Sequence, residues 1–162
     1  SPTDPSVFEL IYQVTTLSGL WGELSRMVTI TPRFLVKNES SWLDIELKQV
    51  GAPDGSSLLL PKKTTLPFYW FDSTLPELVC TRPASLSGYK WSGGFDLCTL
   101  GMLPLRVRQS SESRRNAKLK SMRVSVELQP GTGGSGTIIS MKDEDPDGEG
   151  SLFRIENHCP FQ

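Results

Sequence analysis

The chain contains one histidine, His158, and any Ser-His-Asp or Cys-His scheme has to use it. Cys159 is its nearest thiol, but adjacent residues on a strand point to opposite faces, which separates the two groups. A histidine-dependent active site is therefore not expected. Cys80, Cys98 and Cys159 are odd in number and no pair has CxxC spacing. That argues for free thiols rather than a disulfide framework or a zinc site, with a Cys80–Cys98 bridge left open. Asp143-x-Asp145-x-Asp147-Gly148 fits the first half of a calcium loop, in which oxygens on alternate residues wrap a hard cation. The last position of that pattern falls on Arg154 instead of a bidentate glutamate, and Pro146 interrupts the loop, so a solvated acidic hairpin tip is the better account. Gly131 to Gly136 lacks the Gly-Lys-Ser/Thr ending of a phosphate loop and reads as a hairpin turn. These residues assign no catalytic group, metal or cofactor, and the chain is not expected to be an enzyme.

Three other groups are candidates for binding. Arg114, Arg115, Lys118 and Lys120 form a local basic cluster, either a contact for phospholipid headgroups or a solvated loop. Phe68, Tyr69, Trp70 and Phe71 are four consecutive aromatics, which cannot all face one side of a strand. Some must cover a second surface, either core or partner. Asn38 and Asn157 each end an apolar run before a polar turn. A side-chain amide there can satisfy backbone groups of a crossing loop where a ladder stops, which favours a hydrogen-bond clamp over a ligand contact.

The elements that would position these residues are strands. Leu43, Ile45 and Leu47 alternate with Asp44, Glu46 and Lys48; Met122, Val124, Val126 and Leu128 alternate with Arg123, Ser125 and Glu127. Similar short runs cover 8–14, 27–36, 58–60, 78–82, 103–109 and 137–141, separated by turns rich in Gly, Pro and Ser. No window holds a 3.6-residue period with caps. The fold class expected is all-β, an antiparallel β-sandwich, because most connections are too short for helical crossovers. At 162 residues and 37% hydrophobic content the chain can bury a core without disulfides or metals. A net charge of −1 gives no global electrostatic case for nucleic acid or an acidic membrane.

Phe34-x-Val36-x-Asn38 returns as Phe153-x-Ile155-x-Asn157, with the second asparagine 119 positions after the first. Restarting a signature in this way is the mark of one unit in a tandem array. The expected division is a trailing or edge strand of a preceding repeat over 1–22, a sandwich repeat over 23–150, and over 151–162 the opening strand of the next repeat or the closing strand of this one. Ser25-Arg26-x-Val28-x-Ile30-x-Pro32-Arg33-Phe34-x-Val36-x-Asn38-x-Ser40, followed by Leu58-x-Leu60-Pro61, Leu66-Pro67-Phe68-Tyr69-Trp70 and Leu152-x-x-Ile155-x-Asn157, resembles a repeat of the adaptor-binding domain of the vacuolar protein sorting-associated protein 13 family. The order and spacing of these pieces carry the resemblance, which spans most of 25–162.

The resemblance implies a non-enzymatic interaction module. Members of that family are bridge-like lipid-transfer proteins at membrane contact sites. Their adaptor-binding domain is a row of β-rich repeats, each with a characteristic asparagine, which Asn38 and Asn157 match. The implied partners are organelle adaptors carrying Pro-x-Pro motifs, neighbouring repeats of the same chain and, indirectly, membranes. The implied location is cytoplasmic and peripheral to organelle membranes. The alternative is a phospholipid- or phosphoinositide-binding β module using the basic loop. The resemblance places no peptide groove on individual residues; the aromatic run is the physical candidate.

Overall fold

A computed structural model describes residues 7–19, 22, 25–110 and 119–143. Ten strands are assigned among them: β1 (Leu10–Thr16), β2 (Arg26–Pro32), β3 (Phe34–Asn38), β4 (Ile45–Gln49), β5 (Leu58–Leu60), β6 (Thr65–Phe68), β7 (Val79–Pro83), β8 (Gly101–Arg108), β9 (Leu119–Leu128) and β10 (Thr137–Asp143). The one helical piece among the described residues is a 3-10 turn at Asp54–Ser56. Five strands form a sheet in the order β6-β3-β10-β9-β8, three form a second in the order β5-β4-β7, and β1 with β2 makes a separate hairpin.

Alternation decides which side of each sheet is dry. Phe34 and Val36 on β3, Met122, Val124 and Val126 on β9, and Ile139 and Met141 on β10 are buried on one face of the larger sheet. Ile45 and Leu47 on β4, Leu60 on β5 and Val79 on β7 are buried on the smaller sheet, and both sets belong to a single apolar core. The architecture is an all-β sandwich. One feature of the sequence-based expectation is corrected: the sheet is mixed, because β10 runs parallel to β3, with Ile139 opposite Val36. Most of the chain lies between those two strands, so their pairing needs no short crossover, and the antiparallel argument from connection length does not reach it.

The aromatic run divides as a strand must. Phe68 and Trp70 are 4% and 3% exposed and meet edge-on at 5.2 Å, with Phe34 against Trp70 at 5.6 Å. They are core residues and offer a partner no ring surface, which corrects their candidacy as contacts. Tyr69 and Phe71 are half-buried, and Tyr69 packs against Phe8.

Two buried amides join the layers. Asn38 is fully buried; its Nδ2 donates to the carbonyls of Leu43 (2.8 Å) and Leu60 (3.1 Å), and its Oδ1 accepts from the Ser40 amide (2.9 Å). These bonds tie the end of β3, in the larger sheet, to the approaches of β4 and β5 in the smaller one. The Ser40 hydroxyl donates to Asp143 Oδ2 and accepts from the Leu43 amide. Gln49 does similar work at the far end of β4. Its Nε2 donates to the carbonyls of Asp72, Leu75 and Pro76, and its Oε1 accepts from the amides of Phe71 and Asp72.

Candidate functional site

A sheet edge presents unpaired N–H and C=O groups, so the edges are where an extended partner can join the fold. On the larger sheet the edges are β6 and β8. The C-terminal end of β8 is covered by the segment before it: Tyr89 bridges Gln109, just past the strand, and the Lys90 amide donates to the Arg108 carbonyl at 2.9 Å. The first half, Gly101–Leu103, has no strand on its outer side. Beside it lies a cleft of about 350 Å³ whose apolar lining includes Phe95, Leu100, Met102, Leu103 and Val126. Met102 is 64% exposed and Leu100, just before the strand, 52%, so both leave apolar surface at the mouth of the cleft.

The sequence builds this cleft locally. Phe95 is buried and held by a two-bond bridge to Val79, each amide donating to the other's carbonyl at 2.9 Å. That fixes one wall to the smaller sheet, while β8 supplies the other from the larger. Gly94 passes so close to the core that a Cβ there would stand 2.9 Å from Val50 Cγ2. Asp96 then shapes the floor. Its carboxylate accepts from the Thr99 hydroxyl (2.6 Å) and the Cys98 amide (2.8 Å), and these bonds, the Thr99 one foremost, hold its pKa below the usual aspartate range. Gly101 enters β8 at φ 140°, a backbone state that a Cβ disfavours. The result is an open strand edge next to an apolar trough with one fixed negative charge.

Other clusters are satisfied internally. On the outer face of β4 and β7, Trp91 stacks under Lys48 and Arg82, at 4.6 and 4.3 Å from its centroid, and donates to Asp54. Lys48 pairs with Asp54, and Arg82 with Glu46. A polar cleft gathers Lys37, Lys63 and Lys142, but Lys37 pairs with Glu39, which lowers the Glu39 pKa, and Lys63 donates to the Glu39 carbonyl.

Of the residues singled out in the sequence, Tyr69 lies beside Phe8 at the base of the β1–β2 hairpin and not in the cleft. Arg114, Arg115, Lys118, Asn157, His158, Cys159 and the acidic loop after Asp143 lie outside the described residues; Lys120 lies on β9 opposite Val107. Cys80 and Cys98 are both free, and burial pushes both thiols up. Leu100, Met102 and Leu103 were not identified as binding residues in the sequence, where 96–102 has no clear pattern. The available signals were Gly101 and three large apolar residues with no polar alternation. No helix among the described residues is long and apolar enough to cross a membrane.

The family model for "Vacuolar-sorting associated protein 13, adaptor binding domain" matches residues 6–159, nearly the whole chain. No curated protein matches the chain.

Proposed function

Because the chain belongs to the vacuolar-sorting associated protein 13 adaptor binding domain family, we propose that it docks a proline-bearing adaptor peptide along the open half of β8 and so recruits a lipid-transfer protein to membrane contact sites. The observation that carries this reading is the coincidence of an unpaired strand edge with an exposed apolar cleft at Gly101–Leu103.

A Pro-x-Pro peptide suits such an edge for a physical reason. In an extended strand residues i and i+2 point the same way, and their backbone polar groups face the same edge. Two prolines so spaced strip the donors from one edge of the added strand and leave the central residue free to pair along the other. The peptide therefore pairs with β8 and presents an outer edge that cannot recruit another strand. Both rings meet one face, where Phe95, Leu100 and Met102 supply apolar surface. Because the proline rings already fix φ, the peptide loses little conformational freedom by being held in extended form.

The test is fluorescence anisotropy with adaptor-derived Pro-x-Pro peptides, wild type against Met102→Asp. Met102 is exposed, so the variant keeps the fold. Affinity should fall about tenfold or more, the effect of placing a charge in an apolar contact and worth ~1.4 kcal/mol. Unchanged affinity in Met102→Asp rejects docking at β8, and equal binding of an Ala-x-Ala peptide rejects the role given to the prolines.

A further inference from the structure

Every second residue of β8 turns its backbone polar groups to the outer edge. In an antiparallel ladder, opposed pairs alternate between facing their amides and carbonyls toward each other and facing them away. Gly101, Leu103 and Leu105 stand opposite Val126, Val124 and Met122, while Met102 and Pro104 stand opposite Ser125 and Arg123. The second set is the outward one. The Arg108 carbonyl accepts from the Lys90 amide and the Ser110 amide donates to the Gly88 carbonyl, so the even-numbered positions turn away from β9. The neighbouring ladders agree. On β10 the Thr137 amide donates to the Arg33 carbonyl and the Met141 carbonyl accepts from the Glu39 amide, so 137, 139 and 141 turn toward β3. That leaves 138, 140 and 142 for β9, and in turn Val126, Val124 and Met122 for β8. Pro104, which has no amide hydrogen, thus sits where the β8–β9 ladder needs none from it.

The open edge is therefore uneven. Among the described residues nothing bonds the amide and carbonyl of Met102 or the carbonyl of Pro104. Met102 offers an incoming strand a donor and an acceptor; Pro104 offers an acceptor alone. We propose that Pro104 sets the register of the docked peptide: the residue between the two prolines lies antiparallel and opposite Met102, the first proline opposite Leu103 and the second opposite Gly101. This assignment rests on the reading that a Pro-x-Pro peptide docks at β8, and it adds a requirement on the partner, an amide hydrogen on the central residue.

The other registers lose a bond or the cleft. With the central residue opposite Pro104, its carbonyl finds no donor. Parallel addition divides its two bonds between neighbouring positions, which brings in either Pro104's absent donor or Leu100, ahead of the strand. Opposite Arg106, the rings would fall beside Leu105 and Val107, next to the segment that already holds Arg108 and away from the cleft. Opposite Met102, both rings share the face of Gly101 and Leu103, where Phe95 and Val126 line the cleft. Gly101 has no side chain to fill that space, and a Cβ built on it would meet nothing within 4 Å.

A filtered NOESY spectrum of the labelled chain bound to an unlabelled adaptor-derived Pro-x-Pro peptide reads the register. Non-hydrogen-bonded pairs bring their Cα atoms to about 4.5 Å, close enough for an Hα–Hα contact. The first proline should show that contact to Leu103 and the second to Gly101; contacts to Leu105 and Leu103 instead would overturn the assignment. In Pro104→Ala the restored donor should admit this second register, seen as an added contact from the first proline to Leu105. A spectrum of that variant still confined to 101 and 103 would remove Pro104 from the role. N-methylation of the central residue should weaken binding about tenfold or more, since it removes the donor to Met102 and blocks the ladder there. N-methylation two residues before the first proline, opposite Leu105 where the amide turns outward, should leave affinity unchanged, and equal affinity of the two methylated peptides overturns the proposal. If these results fail while Met102→Asp still weakens binding, docking at β8 stands and the register alone falls; if Met102→Asp has no effect either, docking itself fails.

Discussion

Replacing Asn38 by alanine removes three hydrogen bonds at once and leaves the groups they served inside the protein. The carbonyls of Leu43 and Leu60 lose a donor, and the Ser40 amide loses its acceptor. Asn38 is fully buried, so water cannot replace the amide without opening the seam between the sheets. At a net ~1 kcal/mol for each bond, the expected loss is about 3 kcal/mol, at the upper end of the cost for one stranded polar group. Asn38→Asp should lose more, since it keeps an acceptor for Ser40 but turns an anionic oxygen toward two carbonyls. Urea denaturation followed by tryptophan fluorescence measures both, with the midpoint carrying the change if the slope stays constant. A loss below about 0.5 kcal/mol for Asn38→Ala would refute the clamp, because a mutation that strands no buried group falls in that range. Adaptor affinity measured beside it separates the two roles: the clamp predicts lower stability, with the peptide affinity of the folded fraction retained.

Gln49→Leu keeps the volume of a second buried amide but strands the carbonyls of Asp72, Leu75 and Pro76 and the amides of Phe71 and Asp72. It should destabilise by about 2–3 kcal/mol in the same denaturation assay, and a neutral result would show that the 71–76 loop is held by other contacts. Asp96 has a folded pKa below its unfolded value, so its contribution is complete above about pH 3.9 and is lost as pH falls through the lower folded midpoint. Carboxyl-carbon NMR titration should place its midpoint below that of a free aspartate, and Thr99→Val should move it upward; an unmoved midpoint would contradict the Thr99 bond as its main cause.

The sandwich was legible in the sequence where burial is one-sided. Leu43, Ile45 and Leu47 repeat every second residue and are all fully buried, and Met122, Val124 and Val126 read the same way. What stayed hidden depends on distant neighbours. The parallel pairing of β3 with β10 leaves no trace in either strand's own pattern. Trp70 is core because Phe34 and Phe68 surround it, and Tyr69 is not because it falls on the other face. Gln49 is a polar residue at a core position, recognisable only from the loop whose backbone it holds. The exposed face of β2 misled in another sense: the alternation is real, yet within the described residues nothing covers it. The cleft at β8 was invisible because being an edge is a property of sheet order, and sheet order is not written in any one strand.

The most direct measurement of the central claim is an amide chemical-shift map of the isotopically labelled chain titrated with a Pro-x-Pro adaptor peptide. Docking along the open half of β8 predicts the largest shifts at Gly101, Met102 and Leu103, with a second group over Gly94 to Leu100 and little change in β1–β2. Shifts centred instead on the hairpin, or on the cleft between Lys37, Lys63 and Lys142, would contradict it, as would a saturating titration that leaves 101–103 unmoved.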